Sequence, residues 1–247
     1  MILTKWEKLP PEMQTEEVRP YYDILRKKRF GLFCKRVFDI IVSLILLILL
    51  SPVFIILAIA IKIDSKGPVF YRQVRMTQYN KKFRIFKFRS MVQDADRVGT
   101  AVTVKGDARV TRVGAFIRKY RFDEFSQLID VLRGKMTLVG TRPEVQKYVD
   151  RYTPEMMATL LLPAGITSLT SIYYRDEAER LEAGGNPDDV YVHDVLPEKM
   201  YYNLKAVREY SFWQDIKILF MTFFAICGKE YKGDYQPQEE QDTAAVS

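Results

Sequence analysis

From Ile40 to Ile61 the chain reads IIVSLILLILLSPVFIILAIAI, an uncharged run broken only by Ser43, Ser51 and Pro52. At about 1.5 Å per residue this run is long enough to cross a hydrocarbon core of roughly 30 Å as one helix. It begins too deep for an ordinary signal peptide, and no small-residue cleavage site follows it. Pro52 lacks an N–H and breaks the bond to the carbonyl four residues earlier, and Ser51 is placed to satisfy a freed backbone group. Both flanks are basic, with Arg26, Lys27, Lys28, Arg29, Lys35 and Arg36 before the run and Lys62, Lys66, Arg72 and Arg75 after it. Basic residues near membrane ends prefer the cytoplasmic side. A spanning helix would export one cluster, whereas a hairpin bent at Ser51–Pro52 keeps both beside anionic headgroups. The expectation is a re-entrant hairpin, with a single-pass kinked helix as the alternative.

The formal net charge is +7, from 38 Lys and Arg against 31 Asp and Glu. That balance suits an anionic partner: acidic lipid, a phosphorylated substrate or nucleic acid. No recognition helix or aromatic stacking platform accompanies the basic clusters, so no nucleic-acid partner is expected. Cys34 and Cys227 are far apart and lack metal-ligand spacing, which fits a reducing, cytoplasmic setting and excludes a disulfide framework. His193 is the sole histidine, which argues against a Ser–His–acid triad or a multi-histidine metal site. Any chemistry therefore rests on carboxylates and basic side chains.

After the apolar run, GPVFYRQVR (67–75) and KKFRIFKFRSM (81–91) read as two strands joined by a turn at Gln78–Asn80. Alternation places Lys87 and Arg89 on one face, as a phosphate clamp requires, or as a solvated face near headgroups would show. A short basic helix is expected over 109–119, with Val113, Phe116 and Ile117 inward. In RFDEFSQLIDVLRGKM, Phe125, Leu128, Ile129 and Leu132 recur at helical spacing. Asp123 is the expected N-cap and Gly134 the expected terminator. Asp123 and Glu124 would then sit where free amides favour anions, with Arg118, Lys119 and Arg121 just upstream. One carboxylate can attack phosphorus while the other holds a divalent cation. The bland alternative is simple helix capping. MTLVGTRPE (136–144) reads as a strand into a Pro-restricted loop with Arg142, and LPAGITSLTSI (162–172) as a loop into a strand-like run. The stretch 201–226 is either an interfacial helix with aromatics at headgroup depth or an ordinary packing helix.

In this order the motifs KRVFDIIVS, the Ser51–Pro52 run, GPVFYRQVR, FKFRSM, RKYRFDEFSQL, MTLVGTRPE and QDIKIL resemble the monotopic phosphoglycosyl transferases, bacterial sugar transferases. The resemblance covers about residues 33–226. It implies an enzyme that moves a sugar 1-phosphate from a UDP-sugar to polyprenyl (undecaprenyl) phosphate and releases UMP. This is the first membrane step of exopolysaccharide, capsule or O-antigen assembly. It implies Asp123 as the nucleophile of an aspartyl-phosphosugar intermediate, Glu124 as the partner carboxylate that binds Mg²⁺, and Arg118 as a phosphate-binding arginine. Lys87, Arg89 and Arg142 fall in motifs near the substrate phosphates, and Ser51–Pro52 matches the hairpin break. It also implies residence on the cytoplasmic face of the inner membrane, in contact with membrane lipids.

Thr141, Ser126 and Ser168, with an inserted Ala164, depart from the family pattern and bear on loop geometry. The expected fold class is α+β: a re-entrant membrane helix hairpin (33–63), then a small helix-rich cytoplasmic α/β catalytic domain (64–227) with interfacial amphipathic helices. A siteless N-terminal extension (1–32) and a polar, disordered tail (228–247) complete the chain. The sequence leaves the sugar, and self-association into a homo-oligomer, open. A membrane-anchored relative without catalysis is the competing reading, disfavoured by the retained Asp123, Glu124 and Arg118.

Overall fold

Alternating aromatic and basic residues after the apolar run form an antiparallel hairpin, β1 (Phe70–Thr77) and β2 (Lys81–Phe88), in register from Phe70 opposite Phe88 to Thr77 opposite Lys81. The computed structural model describes residues 3–95, 107–174 and 187–235. The turn falls at Gln78–Asn80 as expected, with Tyr79 and Asn80 left-handed. A second pair, β3 (Met136–Val139) and β4 (Ala164–Thr167), is parallel. Around these small sheets lie the helices α1 (Arg19–Lys27), α2 (Arg29–Asp64), α3 (Arg112–Lys119), α4 (Leu128–Leu132), α5 (Gln146–Val149) and α6 (Leu169–Tyr173). The chain closes with α7 (Leu196–Arg208) and α8 (Phe212–Ile226). The fold is thus mixed helix and sheet, and among the described residues one helix is long and apolar enough to cross a membrane by length and composition.

That helix, α2, continues through Pro52 for 36 residues. Ile48 is the carbonyl that Pro52 leaves without its donor, and the Ser51 hydroxyl donates to it at 2.8 Å, the local repair expected from the sequence. The half before the proline sends Phe38, Val42 and Leu46 to a core that includes Phe83 and Ile85. The half after it sends Leu57 and Ile61 to a core that includes Phe88 and Ile117. Both cores draw on β2. Ile48, Leu49, Ile55, Ile56 and Ile59 remain exposed, far more apolar surface than water tolerates in one patch.

The basic and acidic residues of KRVFD bolt the start of α2 to the body. Lys35 Nζ donates to the Val139 carbonyl at 2.8 Å and to Asp215 Oδ2 at 2.7 Å. Arg36 donates to the Val131 and Leu132 carbonyls at 2.6 and 3.1 Å, satisfying the end of α4. Asp39 accepts from the Thr137 hydroxyl. At the other end, Asp64 accepts from the Val113 amide at 3.0 Å and so caps α3.

Residues 3–28 pack on the body: Leu9, Met13, Val18, Tyr22 and Leu25 share a core with Ala158, Leu161 and Val207. Three expectations need correction. Phe116 is half exposed rather than inward, because only Gly114 and Ile117 of α3 are buried. The stretch 201–226 is two helices broken at Glu209–Ser211, and the residues after β4 turn into α6, capped by the Ser168 hydroxyl. The tail folds back along α7 as far as Tyr235, whose amide donates to the Tyr202 hydroxyl at 2.6 Å while Lys205 pairs with Asp234 at 3.0 Å. The remaining tail positions, 236–247, lie outside the described residues.

Candidate active site

RFDEFSQLIDVL does not form one helix. Arg121 is left-handed (φ 54°), a 3₁₀ turn runs over Phe122–Gln127, and only Leu128–Leu132 is α-helical. Asp123 therefore lies inside the turn instead of capping a helix. Buried Ser126 and Gln127 hold the turn against the core, and Ser126 donates to the Asp123 carbonyl at 3.1 Å. Gly134, at φ 72°, ends the segment as expected.

This turn packs on β2 and brings two sequence-predicted residues, Lys87 and Arg142, to the acidic pair. Lys87 Nζ stands 3.8 Å from Asp123 Oδ2. Arg142 donates to Glu124 Oε1 at 2.5 Å, and Arg121 lies 3.9 Å from the same oxygen. Arg118 is exposed at the end of α3, near enough to Asp123 for its charge to be felt there. Among the described residues, Asp123 accepts no side-chain hydrogen bond that would tie up its carboxylate.

Burial raises the Asp123 carboxyl above its ordinary range, with Glu124 adding to the rise and Lys87, Arg142 and Arg118 opposing it. Burial acts the same way on Glu124, but Arg142, Lys87 and Arg121 overcome it and bring that carboxyl down to about 2. Desolvation lowers Lys87, against the pull of both carboxylates. The neighbours thus separate the two acids: one firmly ionised and clamped, the other costly to ionise and loosely held.

Arg89 does not join Lys87. The strand ends at Phe88, and Arg89 donates to the Lys66 and Ser65 carbonyls at 2.8 and 2.7 Å and to the Ser65 hydroxyl at 2.9 Å. It satisfies the C-terminus of α2, which an extrapolated alternation could not foresee. Ser51 and Pro52 lie in the exposed middle of α2. His193 is exposed and takes no part.

Arg142 reaches Glu124 because its loop is anchored by a glycine-to-glycine crossing. The Gly140 amide donates to the Thr167 carbonyl at 2.9 Å, and the Gly165 amide to the Thr141 carbonyl at 2.8 Å. A Cβ on Gly165 would come within 2.1 Å of the Gly140 nitrogen, so the strands meet only without side chains there. Arg75, passed over in the sequence reading, donates to the Pro143 carbonyl at 3.2 Å and adds to the positive field on Lys87. The register could have flagged it: Tyr71 opposes Lys87, so Tyr71, Gln73 and Arg75 share that face of β1.

The sequence profile of the family described as bacterial sugar transferase matches residues 30–229. The chain belongs to that family. Like other bacterial sugar transferases it is similar to the UDP-glucose:undecaprenyl-phosphate glucose-1-phosphate transferase of Klebsiella pneumoniae, 38% identical over 196 residues, 77% of this chain and 39% of that protein. It is 36% identical over 197 residues to the UDP-N-acetylgalactosamine-undecaprenyl-phosphate N-acetylgalactosaminephosphotransferase of Aeromonas hydrophila, 78% of this chain and 44% of that protein. Another relative is the undecaprenyl-phosphate galactose phosphotransferase of Salmonella typhimurium, 33% identical over 210 residues, 79% of this chain and 40% of that protein. The chain thus spans about two fifths of the length of these relatives. All the residues around the acidic pair lie within the family match.

Among the described residues no group of three His, Cys, Asp or Glu side chains could enclose a metal. Two adjacent carboxylates nevertheless fit Mg²⁺, which commonly takes one or two carboxylates and fills its remaining positions with water and substrate phosphate oxygens.

Proposed function

We propose that this chain transfers a sugar 1-phosphate from a UDP-sugar to undecaprenyl phosphate through a covalent intermediate on Asp123. The observation that carries the reading is the unequal holding of the two acids. Glu124 is clamped by Arg142, while Asp123 faces Lys87 across 3.8 Å with its carboxylate otherwise uncommitted. An uncommitted carboxylate among cations is suited to attack a phosphate, and a clamped one is suited to orient charge. The names of the relatives, which join UDP-sugars to undecaprenyl phosphate, support the substrate classes.

An Asp123 oxygen attacks the β-phosphorus of the UDP-sugar. The bond from that phosphorus to the oxygen bridging it to the α-phosphate breaks, and UMP leaves with that oxygen. An oxygen of the lipid phosphate then attacks the same phosphorus, the bond to Asp123 breaks, and a polyprenyl diphospho-sugar departs. Lys87 and Arg118 offset the phosphate charge, and Arg142 fixes Glu124. Mg²⁺, held by Glu124, would supply charge neutralisation at the diphosphate.

The membrane reading is a hairpin bent at Ser51–Pro52, seated in the cytoplasmic leaflet of a bacterial inner membrane. Its support is the repaired Ile48 carbonyl, the attachment of both halves of α2 to cores sharing β2, and the exposed apolar residues between. Such a seat leaves Asp123 at the lipid boundary, where a lipid phosphate and a soluble nucleotide can meet, and places this step at the start of glycan assembly.

Two outcomes are expected. In lipid nanodiscs with undecaprenyl phosphate and Mg²⁺, a panel of UDP-sugars yields UMP with at least one donor; silence across the panel would remove the enzymatic reading. In a cysteine-free background, Glu16→Cys and Lys232→Cys both resist a membrane-impermeant maleimide in intact cells. Labelling of Glu16→Cys alone would establish a spanning helix instead.

A further inference from the structure

Two residues beyond Arg142, Glu144 is almost wholly buried, at 8% exposure. Its carboxylate accepts from the Tyr191 hydroxyl at 2.5 Å and from Lys199 Nζ at 3.4 Å, and Lys199 also donates to the Tyr191 hydroxyl at 3.1 Å. Lys199 and Tyr191 are buried as deeply, at 4% and 3%. A buried ion pair is a poor stabiliser, since an apolar group of equal volume usually does as well. What it supplies is a single geometry, because any other arrangement strands a charge.

The rest of the loop is fixed from the opposite side. The Met76 amide donates to the Glu144 carbonyl at 2.8 Å, and Arg75 donates to the Pro143 carbonyl. The loop that delivers Arg142 is thus gripped by β1 through its backbone and by Tyr191 and Lys199 through one carboxylate. Tyr191 opens a π-helical turn, Tyr191–Val195, that leads directly into α7. Such turns re-aim side chains, and here it precedes the helix carrying Lys199.

We infer that Glu144, held by Tyr191 and Lys199, is a positioning residue that sets Arg142 against Glu124 and so acts on the phosphoryl transfer without touching substrate. This rests on the transferase reading above. A displacement of about 1 Å at a group that orients a reacting centre can cost on the order of a hundredfold in rate.

The test is a double-mutant cycle in nanodiscs, reading UMP release as kcat and KM together with the melting midpoint and the ¹⁵Nε–Hε resonance of Arg142. Glu144→Gln is expected to lower kcat by about 10- to 100-fold while KM for the UDP-sugar changes by no more than about threefold. In an Arg142→Lys background the same substitution is expected to change kcat by less than about twofold, since the link it acts through is already broken. Tyr191→Phe, a gentler variant that keeps the packing, is expected to lower kcat in the same background-dependent way. Equal losses in both backgrounds, or an unaltered kcat in a folded Glu144→Gln protein, would overturn the assignment. Wild-type protein that releases no UMP defeats the transferase reading alone. The frame is then judged by the Arg142 resonance, which shifts in Glu144→Gln if Glu144 positions that side chain and stays put if it does not.

Discussion

Substitution of Asp123 by Asn is expected to reduce UMP release by more than about a thousandfold and to abolish the covalent sugar-phosphate adduct, since no other group supplies the attacking oxygen. Asn preserves the size of the side chain and the 3₁₀ turn, so the loss reports chemistry. Stability should move the other way. Burial raises the Asp123 carboxyl in the folded state, so folding favours its protonated form, and the ionised side chain opposes folding at neutral pH. That cost is relieved as the pH falls through the raised value, and the neutral Asn removes it altogether. The variant should therefore melt no lower than wild type at pH 7. Glu124, held down to about 2, has the opposite sign: its contribution is present above its unfolded value and fades only as the pH falls toward 2. The acidic limb of kcat/KM should consequently follow Asp123 and lie above the ordinary aspartate range of about 3.9. An adduct that forms on Asp123→Asn protein, detected by intact mass, would remove this residue from its role.

Substitution of Lys35 by Met is expected to destabilise the protein by about 3–5 kcal/mol, because it leaves Asp215, with only 13% of its side chain exposed, without its cation. The Val139 carbonyl loses its buried donor in the same stroke. For a chain of this size that is a fall in melting midpoint of roughly 10 °C, measured in nanodiscs at pH 7. Lys35→Met combined with Asp215→Leu should recover most of the loss, since no unpaired charge remains. A single variant that melts within about 2 °C of wild type would show that the pair does not bolt α2 to β3 and α8.

Much of the local architecture was legible because short-range rules govern it. The hairpin at Gln78–Asn80, the terminator Gly134 and the Ser51 repair of the Ile48 carbonyl each depend on a few consecutive residues. Residues that act at a distance were harder to place. Arg89 looked like the companion of Lys87 because both belong to one alternating strand. The strand stops one residue earlier, and the guanidinium serves the end of α2, more than twenty positions upstream. Asp123 looked like a helix cap because the apolar period behind it is helical, yet left-handed Arg121 and buried Ser126 and Gln127 tighten that start into a 3₁₀ turn.

The sequence by itself determined that the chain carries an apolar segment long enough to cross or enter a bilayer, that Asp123 and Glu124 adjoin, and that basic residues cluster on both sides of the segment. These are properties of composition and order, and no folding is needed to read them. Only the tertiary structure decided which cation meets which acid, because Lys87 reaches the pair from β2 and Arg142 from the loop after β3. Burial then did what no sequence pattern encodes. By withdrawing both carboxylates from water while pairing only one closely, it drove neighbouring, chemically similar groups to different ionisation ranges.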